Sequence, residues 1–509
     1  MRARSLMVMG TASDVGKSVV VTGLCRAFAR RGIRVAPFKS QNMSNNAAVC
    51  ADGGEIGRAQ AVQAMASGLE PSVEMNPVLL KPESGFGCQV VIAGRARFRI
   101  NAWQEHDRYR KNAWPEIVRS YNSLAEAFDL IIVEGAGGAA EINLRDRDLA
   151  NWEIADLADA AVLVIGDIDK GGVFASLVGT VELLSPAERR RVKGLLINKF
   201  RGDRALLEPG PSLLEERTGI PVIGVLPYER TLGIPQEDSA SLETRVSVSN
   251  TAAVRIGVVR LPEISNYTDF EPLEEESDVV VNYLSDPAAA PDVDVLILPG
   301  SKTTVADLKW LRRAGWEDYL VRCLRRGGFV LGICGGYQML GRRIVDRDHI
   351  ESDQAETVGL GLLGMETVFA SGKITDRVTA VHLPTGLSIE GYEIHSGRIA
   401  GVTEANALFR IDSRSQSSVQ NFDGAQSADG RVIGTSIHGI FDAPAFRRTF
   451  VDMVRESRGL GPLADSAHAA STPDHSAAFD RLADLLETHV DMRRIAALAG
   501  LDWDAKARR

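Results

Sequence analysis

One cysteine stands where a thiol can become a nucleophile. In FVLGICGGYQMLG, Cys334 falls between an apolar strand pattern and a glycine-led helix. That is the sharp turn that lifts a nucleophile clear of a sheet. A helix start lowers a thiol pKa, and the NH of Gly335 can point at a developing oxyanion. Far downstream, His438 ends another apolar run in GTSIHGIFD. A Cys and a His distant in sequence but adjacent in space are the expected pattern of an intracellular thiol enzyme. Cys25, Cys50 and Cys323 lie in helical or loop patterns and read as structural thiols. No C-x-x-C pair occurs, so a structural zinc site is not expected.

A second chemistry is written near the N-terminus, in VMGTASDVGKSVVVTGLCRAF. An apolar strand leads into Gly10 and Thr11, and Gly16, Lys17 and Ser18 open a helix with an apolar stripe. Backbone NH groups of residues 12 to 18 and the positive helix end would cradle phosphates. Lys17 would neutralise the β and γ oxygens of ATP, and the Ser18 hydroxyl would bind Mg²⁺. Five residues separate Gly10 from Gly16, one more than the usual phosphate loop has. Further on, INKFRGD resembles a base-reading Asn-Lys-x-Asp, with two residues too many before Asp203. Asn198 is a candidate for pairing with adenine, and a polar strand-to-loop junction is the alternative.

The elements that must position these groups form two series. SLMVMG, IRVAPFK, LIIVEGAGG, AVLVIGDID, GLLINKF and PVIGVLP are short apolar runs alternating with helical patterns, as strands of a parallel sheet are. A polar, unpatterned stretch follows, and a second series opens with VRIGVVRLP and continues through DVLILPGSK, GGFVLGICGGYQ and RVIGTSIHGIFD. The expected organisation is a phosphate-loop domain over 1–240, a linker over 241–252, a second domain over 253–458 and a helical extension over 459–509. Within the extension, FDRLADLLETHVDMRRIAAL has one amphipathic pattern, read as a terminal helix packed on the second domain. The fold class is α/β, with two doubly wound, mostly parallel sheets.

Composition agrees with this class. The 509 residues are 45% hydrophobic and 25% charged with 48 glycines, which excludes a fibre or a disordered tail. A net charge of -9 gives no general electrostatic reason to expect nucleic acid, which favours a basic face; it disfavours that partner without excluding it. The apolar run at the N-terminus is too short for a signal peptide, and no stretch has the roughly 20 apolar residues of a membrane span. A cytoplasmic protein with reduced thiols is expected, away from nucleic acid and membrane.

The seven-residue loop GTASDVG resembles that of dethiobiotin synthetase and related amidoligases, which transfer the ATP γ-phosphoryl group to a carboxylate. That resemblance implies that Glu55, in GGEIGRAQAVQA, and Glu134, in LIIVEGAGG, complete the metal site with Ser18, and that Lys39 helps to hold the phosphoryl group. The Cys334 and His438 segments resemble the class I glutamine amidotransferases, and LPGSK matches their second oxyanion donor, at Gly300 or Ser301. Those enzymes carry His-Pro-Glu where this chain has His438-Gly439-Ile440. A dyad is therefore expected, with a backbone carbonyl or Asp442 left to steady the imidazole.

Taken in order, GTASDVGKS, APFKSQNMSNNA, GGEIGRAQA, MNPVLLKP, AEINL, GDIDKGGVFAS, INKFRGD and YEIHSG are similar to the cobyric acid synthases. The resemblance implies a glutamine- and ATP-dependent amidation of corrinoid carboxylates. Gln41, Asn42, Asn45, Asp167 and Asp169, in polar loops after strand ends, are then the candidates for gripping corrin side chains. His395 is a candidate for glutamine or interface contacts. Cobyrinic acid a,c-diamide synthases share the two-domain plan, but FKSQNMSNN and DIDKGG favour the first family. A partitioning-type nucleotide switch would use the loop to dimerise, and has no need of Cys334 or His438 at strand ends.

Overall fold

The computed structural model describes residues 2–84, 87–100, 106–229, 232–235, 253–463 and 475–504. The expected linker lies outside them. All six apolar runs of the first series are strands of one parallel sheet. The sheet order is Val222–Pro227, Val192–Phe200, Ala161–Asp167, Arg4–Gly10, Leu130–Glu134 and Val35–Phe38. Leu130–Glu134 is buried throughout, and Arg4–Gly10 in all but its first residue. Such strands read as continuous apolar runs because helices cover both faces of the sheet. The phosphate loop follows the Arg4–Gly10 strand, at the carboxyl end where open α/β sheets place their ligands. A smaller sheet of Gln41–Met43, Val78–Glu83, Gly87–Ile92 and Arg95–Ile100 extends this domain.

The second domain repeats the plan. Val279–Leu284, Val254–Val259, Val295–Leu298, Phe329–Ile333 and Val432–Thr435 run parallel in that order, and Ala425–Gln426 closes the edge antiparallel. Beside it lies a sheet that the apolar pattern does not reveal, built on the antiparallel pair Glu366–His382 and Leu387–Ala400 with Phe409–Arg414 and Ser417–Asp423. These strands alternate buried and exposed positions and carry many polar residues, so they lack the unbroken apolar signature of strands buried on both faces.

The C-terminal segment corrects one expectation. Its described residues include two helices, His475–His489 and Met492–Leu498, and they pack on the first domain rather than the second. Phe479, Leu482, Ala483 and Leu486 join the core cluster of helix Lys17–Arg30, which contributes Val20, Leu24 and Phe28. Gly23 makes the approach possible, since a Cβ there would come within 2.8 Å of Leu482 Cγ. Ion pairs line the same contact, among them Arg26 with Asp480 at 2.8 Å, Arg30 with Asp484 at 2.7 Å and Arg31 with Glu487 at 2.9 Å. An amphipathic pattern reports that a face is buried, not against what. No helix among the described residues is long and apolar enough to cross a membrane.

Candidate active sites

Cys334 ends strand Phe329–Ile333 and starts helix Gly335–Leu340 with φ +50° and ψ −107°. A non-glycine residue in that region is strained, and such strain gathers at functional sites. The turn is held on both sides. Cys334 N donates to the Thr435 carbonyl at 2.8 Å, and Gly336 N donates to that of Pro299 at 3.0 Å. A Cβ at Gly336 would collide with the Leu298 carbonyl oxygen, so only glycine lets the helix start this close to the neighbouring strand. Gly335 lies against the Ser301 backbone, and Gly300 against the His438 ring. The two candidate oxyanion segments therefore converge on the thiol.

His438 is buried and its Nδ1–H donates to Asp269 Oδ2 at 2.6 Å. Asp269 Oδ1 accepts from Gly439 N at 3.0 Å. The expected dyad is thus corrected to a triad, and Asp442 is not the orienting group. Burial works against charge on His438, but Asp269 and the Cys334 thiolate outweigh it and raise the imidazole to about 10. Burial likewise pushes the Cys334 thiol up, but His438, then His395 and the Gly335 NH, bring it below the ordinary thiol value. Both shifts run toward thiolate and imidazolium, the reactive form of a cysteine nucleophile. Cys25, Cys50 and Cys323 show the contrast, their pKa values raised by burial to about 12, 12 and 11. His395 Nδ1 is 2.7 Å from the Gly397 carbonyl, and Nε2 faces Glu393 at 3.4 Å.

In the first domain Gly16 has φ +99° and caps helix Lys17–Arg30. Lys17 Nζ lies over the loop, donating to the carbonyls of Ala12 at 2.8 Å and Gly137 at 2.9 Å. Ser18 Oγ donates to Glu134 Oε1 at 2.7 Å, and Lys39 Nζ pairs with the same oxygen at 2.8 Å. Burial raises the Glu134 pKa, but Lys39, Gln63 and Ser18 hold it below the usual carboxylate value. Oxygen donors so close together, one of them an ionised carboxylate, fit a Mg²⁺ that keeps waters and phosphate oxygens as further ligands. The loop, Lys17 and Lys39 fit the phosphates of ATP.

Asn198 lines the cleft at the phosphate loop. Its Nδ2 donates to the Val15 carbonyl at 2.8 Å, and a Cβ on Gly16 would collide with that amide. One of its two N–H donors thus holds the phosphate loop. Lys199, which the sequence reading passed over, donates to the Asp14 carbonyl at 2.6 Å and to Asp167 Oδ2 at 2.9 Å. Asp203 caps the short helix Arg204–Leu207.

Glu55 is not brought to Ser18 and Glu134. It lies buried between Lys81 of its own domain at 2.7 Å and Lys373 of the second domain at 2.6 Å. Burial would raise its pKa, but Lys373 and Lys81 pull it down to about 2. With an ammonium group on each oxygen, Glu55 ties the domains together and does not fit a metal. Lys81 and Lys373 also line a small cavity of about 50 Å³ that contains Cys334, His395 and Glu351. Both domains thus wall the space beside the thiol.

The phosphate loop opens into a far larger cleft of about 2320 Å³. Lys17, Glu134 and Asp167 line it from the first domain, and Thr268, Glu271 and Asp442 from the second. Gln41, Asn42 and Asp169 face the same space. Asn45 does not. It turns to the domain boundary, where Nδ2 donates to Glu263 Oε2 at 3.3 Å. The Asn42 amide is tied to Gln60 at 2.9 Å, and Asp169 pairs with Arg201 at 2.8 Å.

Two family models match the chain. Residues 6–240 match the CobQ/CobB/MinD/ParA nucleotide binding domain, and residues 255–446 match the CobB/CobQ-like glutamine amidotransferase domain. The cobyric acid synthase of Sorangium cellulosum is 48% identical, over 99% of this chain and 100% of its own length. Those of Syntrophobacter fumaroxidans and Photorhabdus laumondii are each 46% identical, over 98% and 96% of this chain and 99% and 97% of their own. The chain belongs to the cobyric acid synthase family.

As a member of that family it is a glutamine-hydrolysing ligase with a nucleotide-binding domain, which implies ATP use. Of the residues that the sequence offered, Cys334, His438, Gly300 and Gly335 meet at one point, and Lys17, Ser18, Lys39 and Glu134 at another. Glu55 and Asn45 are used elsewhere. Asp269 was missed because it lies 169 residues from His438 in ISNYTDF, a stretch with no motif of its own. The only signal there is an acid among buried aromatic neighbours, Tyr267 and Phe270, where an unpaired carboxylate would be costly.

Proposed function

We propose that the chain amidates the b, d, e and g carboxylates of adenosylcobyrinic acid a,c-diamide to give adenosylcobyric acid, drawing ammonia from glutamine and energy from ATP. In the second domain, the Cys334 thiolate attacks the glutamine carboxamide carbon while the NH groups near Gly300 and Gly335 receive the oxyanion. Imidazolium His438, held by Asp269, gives its proton to the departing ammonia. Water then cleaves the thioester to glutamate and restores the thiolate.

In the first domain, a substrate carboxylate oxygen attacks the γ-phosphorus of ATP, and ADP leaves. Lys17 and Lys39 stand where they neutralise charge on the transferred group. Ser18 and Glu134 would hold Mg²⁺, which would supply positive charge against the phosphates. Ammonia attacks the resulting acyl phosphate at carbon, and inorganic phosphate departs. No group on the protein need remove a proton from an already ionised carboxylate.

The observation that carries the reading is the 2320 Å³ cleft at the phosphate loop, more than twice the upper end of the ~1,000 Å³ typical of small-ligand sites. It has room for a nucleotide beside a macrocycle, and walls from both domains. Release and rebinding would let one site reach four differently placed carboxylates. The test is incubation with ATP, Mg²⁺, glutamine and the corrinoid diamide, followed by mass spectrometry. Four successive exchanges of hydroxyl for amide support the reading. In Cys334→Ala, glutamine should fail while ammonium salt at mildly alkaline pH restores the products. A mutant that still uses glutamine, or that ammonia does not rescue, refutes it.

A further inference from the structure

The C-terminal helix His475–His489 carries two neighbouring stripes. Phe479, Ala483 and Leu486, spaced i, i+4, i+7, are buried against helix Lys17–Arg30. His475, Leu482 and Leu485, spaced i, i+7, i+10, line the cleft at the phosphate loop, Leu482 while also touching the first core. Both spacings keep to one face of a helix with 3.6 residues per turn. Leu485 is only partly buried, so an apolar side chain meets the open space of the cleft. A helix that merely covered Lys17–Arg30 would need no apolar group there.

The first domain brings apolar groups to the same place. Leu226 and Pro227, at the end of strand Val222–Pro227, and Ile234 beyond it line the cleft. Arg481 Nη2 donates to the Leu232 carbonyl at 3.1 Å, and a Cβ on Gly233 would lie 3.9 Å from that of Ala478, so helix and segment touch. Val19 and Thr22 of helix Lys17–Arg30 face the cleft as well. That helix sets the distance from the phosphate loop. Asn198 lies against Gly16 at its start, and Leu482 against Gly23. Between those glycines it advances about 10 Å at ~1.5 Å per residue, the scale on which a nucleotide reaches from its phosphates to its base. An amide such as that of Asn198 offers an N–H and a carbonyl side by side, which suits the N6–H and N7 edge of adenine and not the two acceptors of guanine.

Resting on the reading of the phosphate loop as the ATP site, we propose that helix His475–His489 is a wall of the adenine pocket, with Leu482 and Leu485 against the base and Asn198 at its edge. The C-terminal extension is then part of the nucleotide site, supplied from the far end of the chain. Its apolar wall holds the base, and the phosphates are left to Lys17 and the loop.

The test titrates the full-length protein by calorimetry with Mg²⁺-ATP and, separately, with Mg²⁺-tripolyphosphate, which has no base. Leu485→Ala should weaken ATP about tenfold, the low end of what a lost apolar contact in a specificity pocket costs. Tripolyphosphate should stay within about twofold, because contacts to the phosphates and to the base are independent of one another. Photolabelling needs no variant. Under light, 2-azido-ATP and 8-azido-ATP should mark the peptide that contains Leu482 and Leu485 in the parent protein, and excess ATP should prevent it.

Unchanged ATP affinity in Leu485→Ala, or label from both analogues that avoids this peptide, overturns the proposal. So does a parallel loss of tripolyphosphate, which would make the helix only a brace for the phosphate loop. Lys17→Ala separates the two readings. If it binds ATP and tripolyphosphate as the parent does, the ATP-site reading fails; if it loses both while Leu485→Ala binds ATP normally, only this inference fails.

Discussion

At the residue scale, chemistry is decided by which charges face each other out of water. His438 keeps its proton to about 10 because Asp269 and the thiolate together outweigh burial. The kcat/KM for glutamine should therefore fall on the alkaline side, as the proton meant for ammonia is lost. Asp269→Asn leaves burial and removes one of the two opposing charges. Its alkaline limb should move to lower pH and its rate should drop roughly 10²- to 10⁴-fold, as when the orienting acid of a triad is neutralised. A pH–rate profile of glutamate release checks both. In the other domain, Lys17→Ala should cut ligation by about a hundredfold or more, the typical value of an electrostatic clamp on a phosphoryl group. Glutamine hydrolysis without ligase substrates should survive, because Lys17 and the triad lie in different domains.

At the element scale, the most informative contact is the C-terminal helix on Lys17–Arg30. The phosphate loop is only as steady as the helix that begins at Lys17, and one flank of that helix is covered by His475–His489. Leu486 is wholly buried there, next to Gly23. Leu486→Ala should cost about 2–5 kcal/mol, the range for emptying a buried leucine position. Urea unfolding followed with and without ATP would measure it, and the loss should fall on the first domain's transition. Surface pairs such as Arg30 with Asp484 are largely exposed and should each contribute less than about 1 kcal/mol.

For the whole molecule, the interface is part of the catalyst. Glu55 has its pKa held at about 2 by lysines from both domains, despite burial. Its folded value lies below the roughly 4.3 of an unfolded glutamate, so it stabilises the assembly above that pH and the contribution is lost as pH falls towards 2. Glu55→Gln should leave Mg²⁺ dependence unchanged, contrary to a metal-ligand role, and cost about 3–5 kcal/mol by stranding two buried ammonium groups. Thermal unfolding at several pH values and a Mg²⁺ titration of ligation together decide it. A weakened Mg²⁺ response with normal stability would return Glu55 to the metal site.

The sequence by itself determined the parts whose signals are local. Six apolar runs became six parallel strands, because a strand buried on both faces must be apolar along its whole length. The phosphate loop, Cys334 at its elbow and His438 at a strand end could be read because strand, turn and helix follow one another within a few residues. Tertiary structure alone decided what depends on distant segments meeting. It brought Asp269 to His438, placed Glu55 between Lys81 and Lys373, tied the Asn198 amide to the phosphate loop, and laid the C-terminal helix on the first domain. It also built the alternating, half-buried sheet around Glu366–His382. The physical reason is the same each time. A lone acid, amide or amphipathic face fits many partners equally well, and only packing selects one.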